Sequence, residues 1–259
     1  MNNLGNAYRG LGDYARQRDV LERALPISER EHGETSTQVA VVLNNLGDAY
    51  NSLGEPAKAR DVLERALAIQ ERAYGRDHAQ VAVTLVNLGN AYGDLGDQAK
   101  KRDMLERALA IKERAYGRDH TEVATTLASL GNAYGSLGDH AKARDMLERA
   151  LAIQERAYGH DHAKVATTLT NLGTVYGRLG DYEKARDVLE RALAINERTY
   201  GPDHVELGIT LWNLAMAHGR LGDYEKKRKI LERALAINES FYGPDHSETA
   251  DCRKALAKL

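Results

Sequence analysis

The pattern Leu-Gly-x-x-Tyr begins at Leu4, Leu46, Leu88, Leu130 and Leu172, always 42 residues apart. A degenerate sixth copy begins at Leu214, with Ala215 and His218 in the glycine and tyrosine places. Leu-Glu-Arg-Ala-Leu keeps step with it from Leu21, Leu63, Leu105, Leu147, Leu189 and Leu231. A chain copied at this period has no single core to enclose. Each unit covers its apolar face against its neighbours, so the units stack in a row. The period divides the chain into units 1–36, 37–78, 79–120, 121–162, 163–204 and 205–246, with a remainder 247–259, all within one repeat domain spanning 1–259.

Each unit reads as two helices. In the third, Val81, Leu85, Leu88 and Tyr92 fall at i, i+4, i+7 and i+11, a single stripe at helical period. Leu95-Gly96 ends that helix, and Asp97 stands where an N-cap belongs. A second helix runs through Ala108, Leu109 and Ile111 to about Tyr116, and Gly117-Arg118-Asp119-His120 breaks it. Asp103 and Arg107 are spaced as an i, i+4 ion pair, as are Asp61/Arg65, Asp145/Arg149 and Asp187/Arg191. Pro26 is expected to interrupt the second helix of the first unit, at the place of Ala68, and to bend it.

The ends depart from the repeat. The first unit lacks the Val-Ala-x-x-x-Leu opening and begins inside a helix, as a piece of a longer array would. Residues Ser247–Leu259 start a seventh first helix but put Arg253 where Leu43, Leu85, Leu127, Leu169 and Leu211 stand. A polar residue at a stacking position marks a capping helix.

Composition excludes several classes of function. A formal net charge of −2 provides no basic field for nucleic acid or an anionic membrane. The lone Cys252 forms no internal disulfide framework and suits a reducing compartment. No secretory signal opens the chain, and no apolar run approaches the ~18 residues of a membrane span. The chain reads as soluble and cytoplasmic.

The run Asn-Leu-Gly-Asn-Ala-Tyr…Leu-Gly-Asp…Ala at 87–99 resembles the tetratricopeptide repeat. The longer second helix and the turn Ala-Tyr-Gly-Arg-Asp-His at 73–78 and 115–120 look like the 42-residue variant of kinesin light chain. They are also similar to arrays attached to nucleotide-binding signalling proteins. The resemblance covers essentially the whole chain. It implies an all-α, right-handed superhelical solenoid of about six antiparallel helix pairs plus a C-terminal capping helix. It further implies a scaffold whose concave groove, lined by first helices, binds a peptide segment of a partner protein. The competing reading is a structural spacer, sensor or self-association module of a larger signalling protein. A monomer is expected, with end-to-end self-association possible through an open terminus.

Superposing the family pattern places Asn44, Asp48, Asn90, Asp94, Asn132, Thr174, Arg178, Trp212, Met216 and Arg220 on the inner face of the first helices. Asn2, Asn6 and Arg9 correspond in the truncated first unit. Asn6, Asn90 and Asn132, with Asp48, make a polar ladder able to bond a peptide backbone. Trp212 and Met216, one turn apart, offer an apolar anchor, although packing on the capping helix also accounts for Trp212. Arg178 and Arg220 at one end and Asp48 and Asp94 toward the other suit a ligand that is acidic at its C-terminal side. The family's carboxylate clamp needs Lys and Arg at inner positions of the middle units. Val, Ala, Thr and Ser stand there, which argues against a chaperone-type C-terminal tail. The Asp-His pairs at 77–78, 119–120, 161–162, 203–204 and 245–246 lie one per unit. They are too far apart to converge on a metal and read as turn and N-cap chemistry. No catalytic constellation, cofactor motif or metal site is expected.

Overall fold

A computed structural model describes residues 2–259, the side chain of Asn2 excepted, and the chain divides into two compact units, up to Leu137 and from Gly138 onward. The candidate role of the Asn2 side chain therefore lies outside the described residues. The first unit holds α1 (Asn2–Gly10), α2 (Tyr14–His32), α3 (Thr37–Ser52), α4 (Pro56–Tyr74), α5 (Ala79–Asp94), α6 (Gln98–Tyr116) and α7 (Thr121–Ser136). The second holds α8 (His140–Tyr158), α9 (Ala163–Leu179), α10 (Tyr182–Tyr200), α11 (Gly208–Arg220), α12 (Tyr224–Tyr242) and α13 (Ser247–Leu256). No strand occurs among the described residues. A 3₁₀ turn at Val205–Leu207 precedes α11, where Gly208 replaces the helix-favouring alanine of Ala82, Ala124 and Ala166.

Two kinds of turn generate this order. The tight one uses Gly96 at φ +88°, a conformation that glycine adopts without strain. The Asp97 carboxylate then accepts from the Lys100 amide and caps α6. The wider turn is closed by histidine: Nδ1 of His78 accepts from the amide of Gln80 at 3.2 Å, and its ring stacks on Tyr74 at 4.7 Å. His120, His162, His204 and His246 repeat the same cap and the same tyrosine stack. The preceding aspartates do other work: Asp77 pairs with Arg114 at 2.8 Å and Asp161 with Arg198 at 2.8 Å.

Within each unit the two repeat motifs lock one helix pair to the next. In the first, the Tyr50 hydroxyl donates to Glu22 at 2.7 Å, Tyr92 to Glu64 and Tyr134 to Glu106. In the second, Tyr176 donates to Glu148 at 2.5 Å, and His218 puts Nε2 3.6 Å from Glu190. Each bond joins the motif tyrosine to the glutamate of the preceding Leu-Glu-Arg-Ala-Leu, and the histidine that replaces the tyrosine in the last copy only approaches its glutamate. Burial first, and the facing carboxylate second, raise the Tyr50 and Tyr176 hydroxyls above the usual phenol range and push Tyr92 up to about 12. Below them Leu21, Leu43, Leu63, Leu85, Leu105 and Leu127 are fully buried in the first unit, and Leu147, Leu169 and Leu189 in the second. Each contributes about 1.5–3 kcal/mol of burial, which no isolated helix pair would realise.

The structure corrects two local expectations. Three of the i, i+4 ion pairs do not form: Asp61, Asp103 and Asp187 pair with their neighbours Arg60, Arg102 and Arg186. The arginines reach instead across to the second helix of the preceding pair, Arg65 to Glu29, Arg107 to Glu71 and Arg191 to Glu155, at 2.5–2.6 Å. The Arg107 guanidinium meets the Glu71 carboxylate with one nitrogen and donates with the other to the Arg76 carbonyl of the turn, a second bond that an exposed partner on the same helix does not offer. Pro26 does not interrupt α2, which runs from Tyr14 to His32 across it. At the far end Arg253 is exposed and pairs with Glu239, so α13 turns a charged side outward.

Candidate functional site

In the first unit the candidate residues of α1, α3, α5 and α7 fall into two groups. One group bonds to its own neighbours. The Asp48 carboxylate meets Arg9 at 2.9 Å; burial raises its pKa and the guanidinium opposes that rise. Asn44 Oδ1 accepts from Thr84 at 3.0 Å and from Asn87 at 3.3 Å, tying α3 to α5. Asn6 Oδ1 accepts a long bond, 3.5 Å, from Asn45. The other group is available: Asn90 is half-buried, while Asp94 and Asn132 are exposed. The ladder of equivalent polar places is thus chemically uneven, because Asp48 and Asn6 already bond to neighbouring first helices, as does Asn44 beside the ladder.

In the second unit five candidates converge. Thr174 and Arg178 of α9 and Trp212, Met216 and Arg220 of α11 line one cleft of about 250 Å³. Tyr182 and Ala185 of α10 complete its wall. The Thr174 hydroxyl accepts from Asn213 at 2.8 Å and donates to the Thr170 carbonyl at 3.1 Å, so it fixes the spacing of α9 and α11. Trp212 and Met216 are half-buried and form the apolar floor with Ala217. Arg178 and Arg220 are exposed on the rim, and the Arg220 guanidinium lies 6.0 Å over the Tyr182 ring. Neither makes an ion pair among the described residues, whereas Arg186, Arg191, Arg198, Arg233 and Arg253 all do. Sequence reasoning missed Tyr182 because it sits on a second helix, where the family pattern places no ligand contacts. The signal was an aromatic side chain that returns, after Tyr14, at a position held by Pro56, Gln98 and His140 in the units between.

Trp212 also answers to the packing expectation. It lies against the cluster of Leu207, Leu211, Ala234, Ile237 and Cys252 beneath α13. Its indole therefore stands between the arginine-rimmed cleft and a second cavity on the α13 side.

The stacked helix pairs and their motif bonds define a helical repeat scaffold. The tetratricopeptide repeat profile matches residues 1–72, 53–114, 102–156, 136–198, 166–226 and 210–259, and the chain belongs to the tetratricopeptide repeat family. Proteins of this family mediate protein–protein interaction and are typically non-enzymatic. Among solved structures the fold is similar to BtubC (BKLC) from P. vanneervenii, at TM-score 0.73 and 24% identity over 89% of this chain and 92% of that one. It is similar to nearly identical tetratricopeptide-like repeats of a candidate kinesin light chain from Podosopora anserina, at TM-score 0.65 and 24% identity over 76% and 94%. YrrB, described as a tetratricopeptide repeat protein with an unusual peptide-binding site, matches at TM-score 0.56 and 19% identity over 89% and 98%. Comparison with curated protein sequences returns no match. No described helix is long and apolar enough to cross a membrane.

Proposed function

We propose that this chain holds a peptide segment of a partner protein on its first-helix face, in a reducing, cytoplasmic setting. The cleft between α9 and α11 is the principal seat. The observation that carries this reading is the pairing of an apolar floor, Trp212 and Met216, with two rim arginines that make no ion pair among the described residues. A seat of that kind takes an apolar side chain flanked by an acidic one: burial supplies affinity and the guanidinium groups supply selectivity. In the first unit Asn90, Asp94 and Asn132 offer polar groups of their own for such a segment. The peptide-binding site attributed to YrrB is consistent with this use of the fold.

The test is a peptide-display selection on the purified chain, repeated on an Arg178→Gln, Arg220→Gln, Trp212→Phe variant of verified helicity. Enriched peptides that carry an acidic residue beside an apolar one, and that lose at least about tenfold in affinity on the variant, support the seat. Enrichment indifferent to the variant, or none at all, leaves the spacer or self-association reading in its place.

A further inference from the structure

The cleft between α9 and α11 is open at a place that two other units close with a side chain of their own. One position near the start of the second helix holds Gln17, Ala59, Lys101, Ala143, Ala185 and Lys227 in successive units. Both lysines lie along a glycine of the first helix before them. A Cβ on Gly93 would meet Lys101 Cδ at 2.5 Å and its Nζ at 3.1 Å. A Cβ on Gly219 would meet Lys227 Cδ at 2.7 Å and its Nζ at 3.4 Å. In each case an unbranched stem covers the glycine and carries the ammonium past it. In the fifth unit Ala185 stops short, and a Cβ on Gly177 would meet nothing within 4 Å. Gly177 and Ala185 both line the cleft of about 250 Å³. Ala185 itself is buried, so the surface a visitor touches is Gly177, which is half-buried, together with Trp212 and Met216.

What fills this place in the third and sixth units indicates what fits it in the fifth. A lysine stem is a slim chain of methylene groups. Methionine is the apolar side chain nearest to it in length and in lack of branching, and its sulfur is favoured beside aromatic rings such as Trp212 and Tyr182. A β-branched residue is broad where the stem is narrow and stiff where it must bend along the glycine. The exposed Arg178 and Arg220 at the rim meet whatever flanks the inserted residue, and they call for carboxylates.

We propose that the cleft receives a methionine of the partner segment, laid over Gly177, and that Ala185 is the residue that keeps this place open. The inference rests on the peptide-binding reading and sharpens it. The partner is an acidic segment built around a methionine. The corresponding places at Gly93 and Gly219 are closed to such a side chain by Lys101 and Lys227.

The test copies the plug that the repeat already uses. Ala185→Lys should keep the helicity and urea midpoint of the parent, because Lys101 and Lys227 occupy the same register. It should also reduce acrylamide quenching of Trp212, the single tryptophan. Ala143→Lys, the same change one repeat earlier and outside the lining of the cleft, should leave quenching unaltered. The ligand probes are the acetylated and amidated tripeptides Glu-Met-Glu and Glu-Ile-Glu, followed through the indole N–H resonance. The parent and Ala143→Lys should bind the methionine peptide saturably in the millimolar range, at least about threefold more tightly than the isoleucine peptide. Ala185→Lys should bind it at least about tenfold more weakly, although an added positive charge by itself favours an acidic peptide. The inference is overturned if Ala185→Lys loses its fold, keeps the quenching of the parent or binds the methionine peptide as the parent does. Equal binding of the two peptides overturns it as well. Binding that still falls in an Arg178→Gln, Arg220→Gln variant would then show that the arginine-rimmed seat stands without the methionine. A parent that binds neither tripeptide overturns the methionine seat, and the display selection then decides separately whether another peptide uses the cleft.

Discussion

Gly47 and Gly89 occupy the same place in the same motif, yet substitution by alanine should move stability in opposite directions. A Cβ on Gly47 would lie 2.4 Å from Leu63 Cγ and 2.6 Å from its Cδ2, inside the van der Waals limit of a leucine that is fully buried. On Gly89 the nearest atoms are the Lys101 carbonyl oxygen and Met104 Cβ at 3.4 Å and Leu105 Cγ at 3.5 Å, which is ordinary contact. Overpacking of a well-filled site costs about 1–3 kcal/mol. Against this, alanine gains about 0.8–1 kcal/mol over glycine inside a helix. Gly47→Ala should therefore destabilise by up to about 2 kcal/mol, and Gly89→Ala should stabilise by up to about 1 kcal/mol. Gly173, whose Cβ would meet Leu189 Cγ at 2.4 Å, should behave like Gly47 in the second unit. Ala215, fully buried in the same motif place, shows that the repeat houses this methyl when the facing leucine is set for it. Urea unfolding followed by helical circular dichroism compares the three variants with the parent. If Gly47→Ala and Gly89→Ala shift the midpoint in the same direction, the facing leucine does not decide the sign and the packing argument fails.

Other outcomes follow from the same contacts. His218 is 3.6 Å from both Glu190 and Asp223, yet burial, helped by Lys226, lowers its pKa, so the fold holds it neutral. The unfolded chain binds that proton near pH 6.5, so stability is complete above it and declines as pH falls through the lower folded value. His218→Tyr, which restores the motif, should abolish this acid sensitivity in melting curves between about pH 8 and about pH 5. Tyr92 has the opposite linkage: raised to about 12, it contributes stability that is full below the unfolded value near 10 and is lost as pH rises toward 12. Tyr92→Phe should cost about 0.5–1.5 kcal/mol at neutral pH and remove that part of the alkaline loss, read by tyrosinate absorbance and urea unfolding. Arg65→Met, which breaks the half-exposed pair with Glu29, should cost less than about 1 kcal/mol in the same unfolding assay; a larger loss would show that these inter-pair bridges hold the stack together.

The repeat period alone determined a great deal here. A stripe such as Val81, Leu85, Leu88 and Tyr92 has only one way to be covered when every unit carries it, so helix pairs, their turns and the charged α13 were all legible. These are consequences of local periodicity and of glycine and aspartate chemistry at turns. Which polar side chains remain available was not legible, because that depends on partners some 36–43 residues away. Asp48 matches the available Asn90 in the family pattern and Asn44 shares its inner face, yet Asn44 bonds Thr84 and Asn87 and Asp48 meets Arg9. Arg107 failed the i, i+4 expectation for the same reason: the carboxylate it reaches lies on another helix. Tertiary structure alone also decided that Trp212 lines two cavities, and that Asn238 and Cys252, in the register of Gln154 and Thr168, leave the buried Oδ1 of Asn238 without a partner among the described residues. Periodicity assigns a residue to a face; only packing decides which of its hydrogen-bonding atoms are already satisfied.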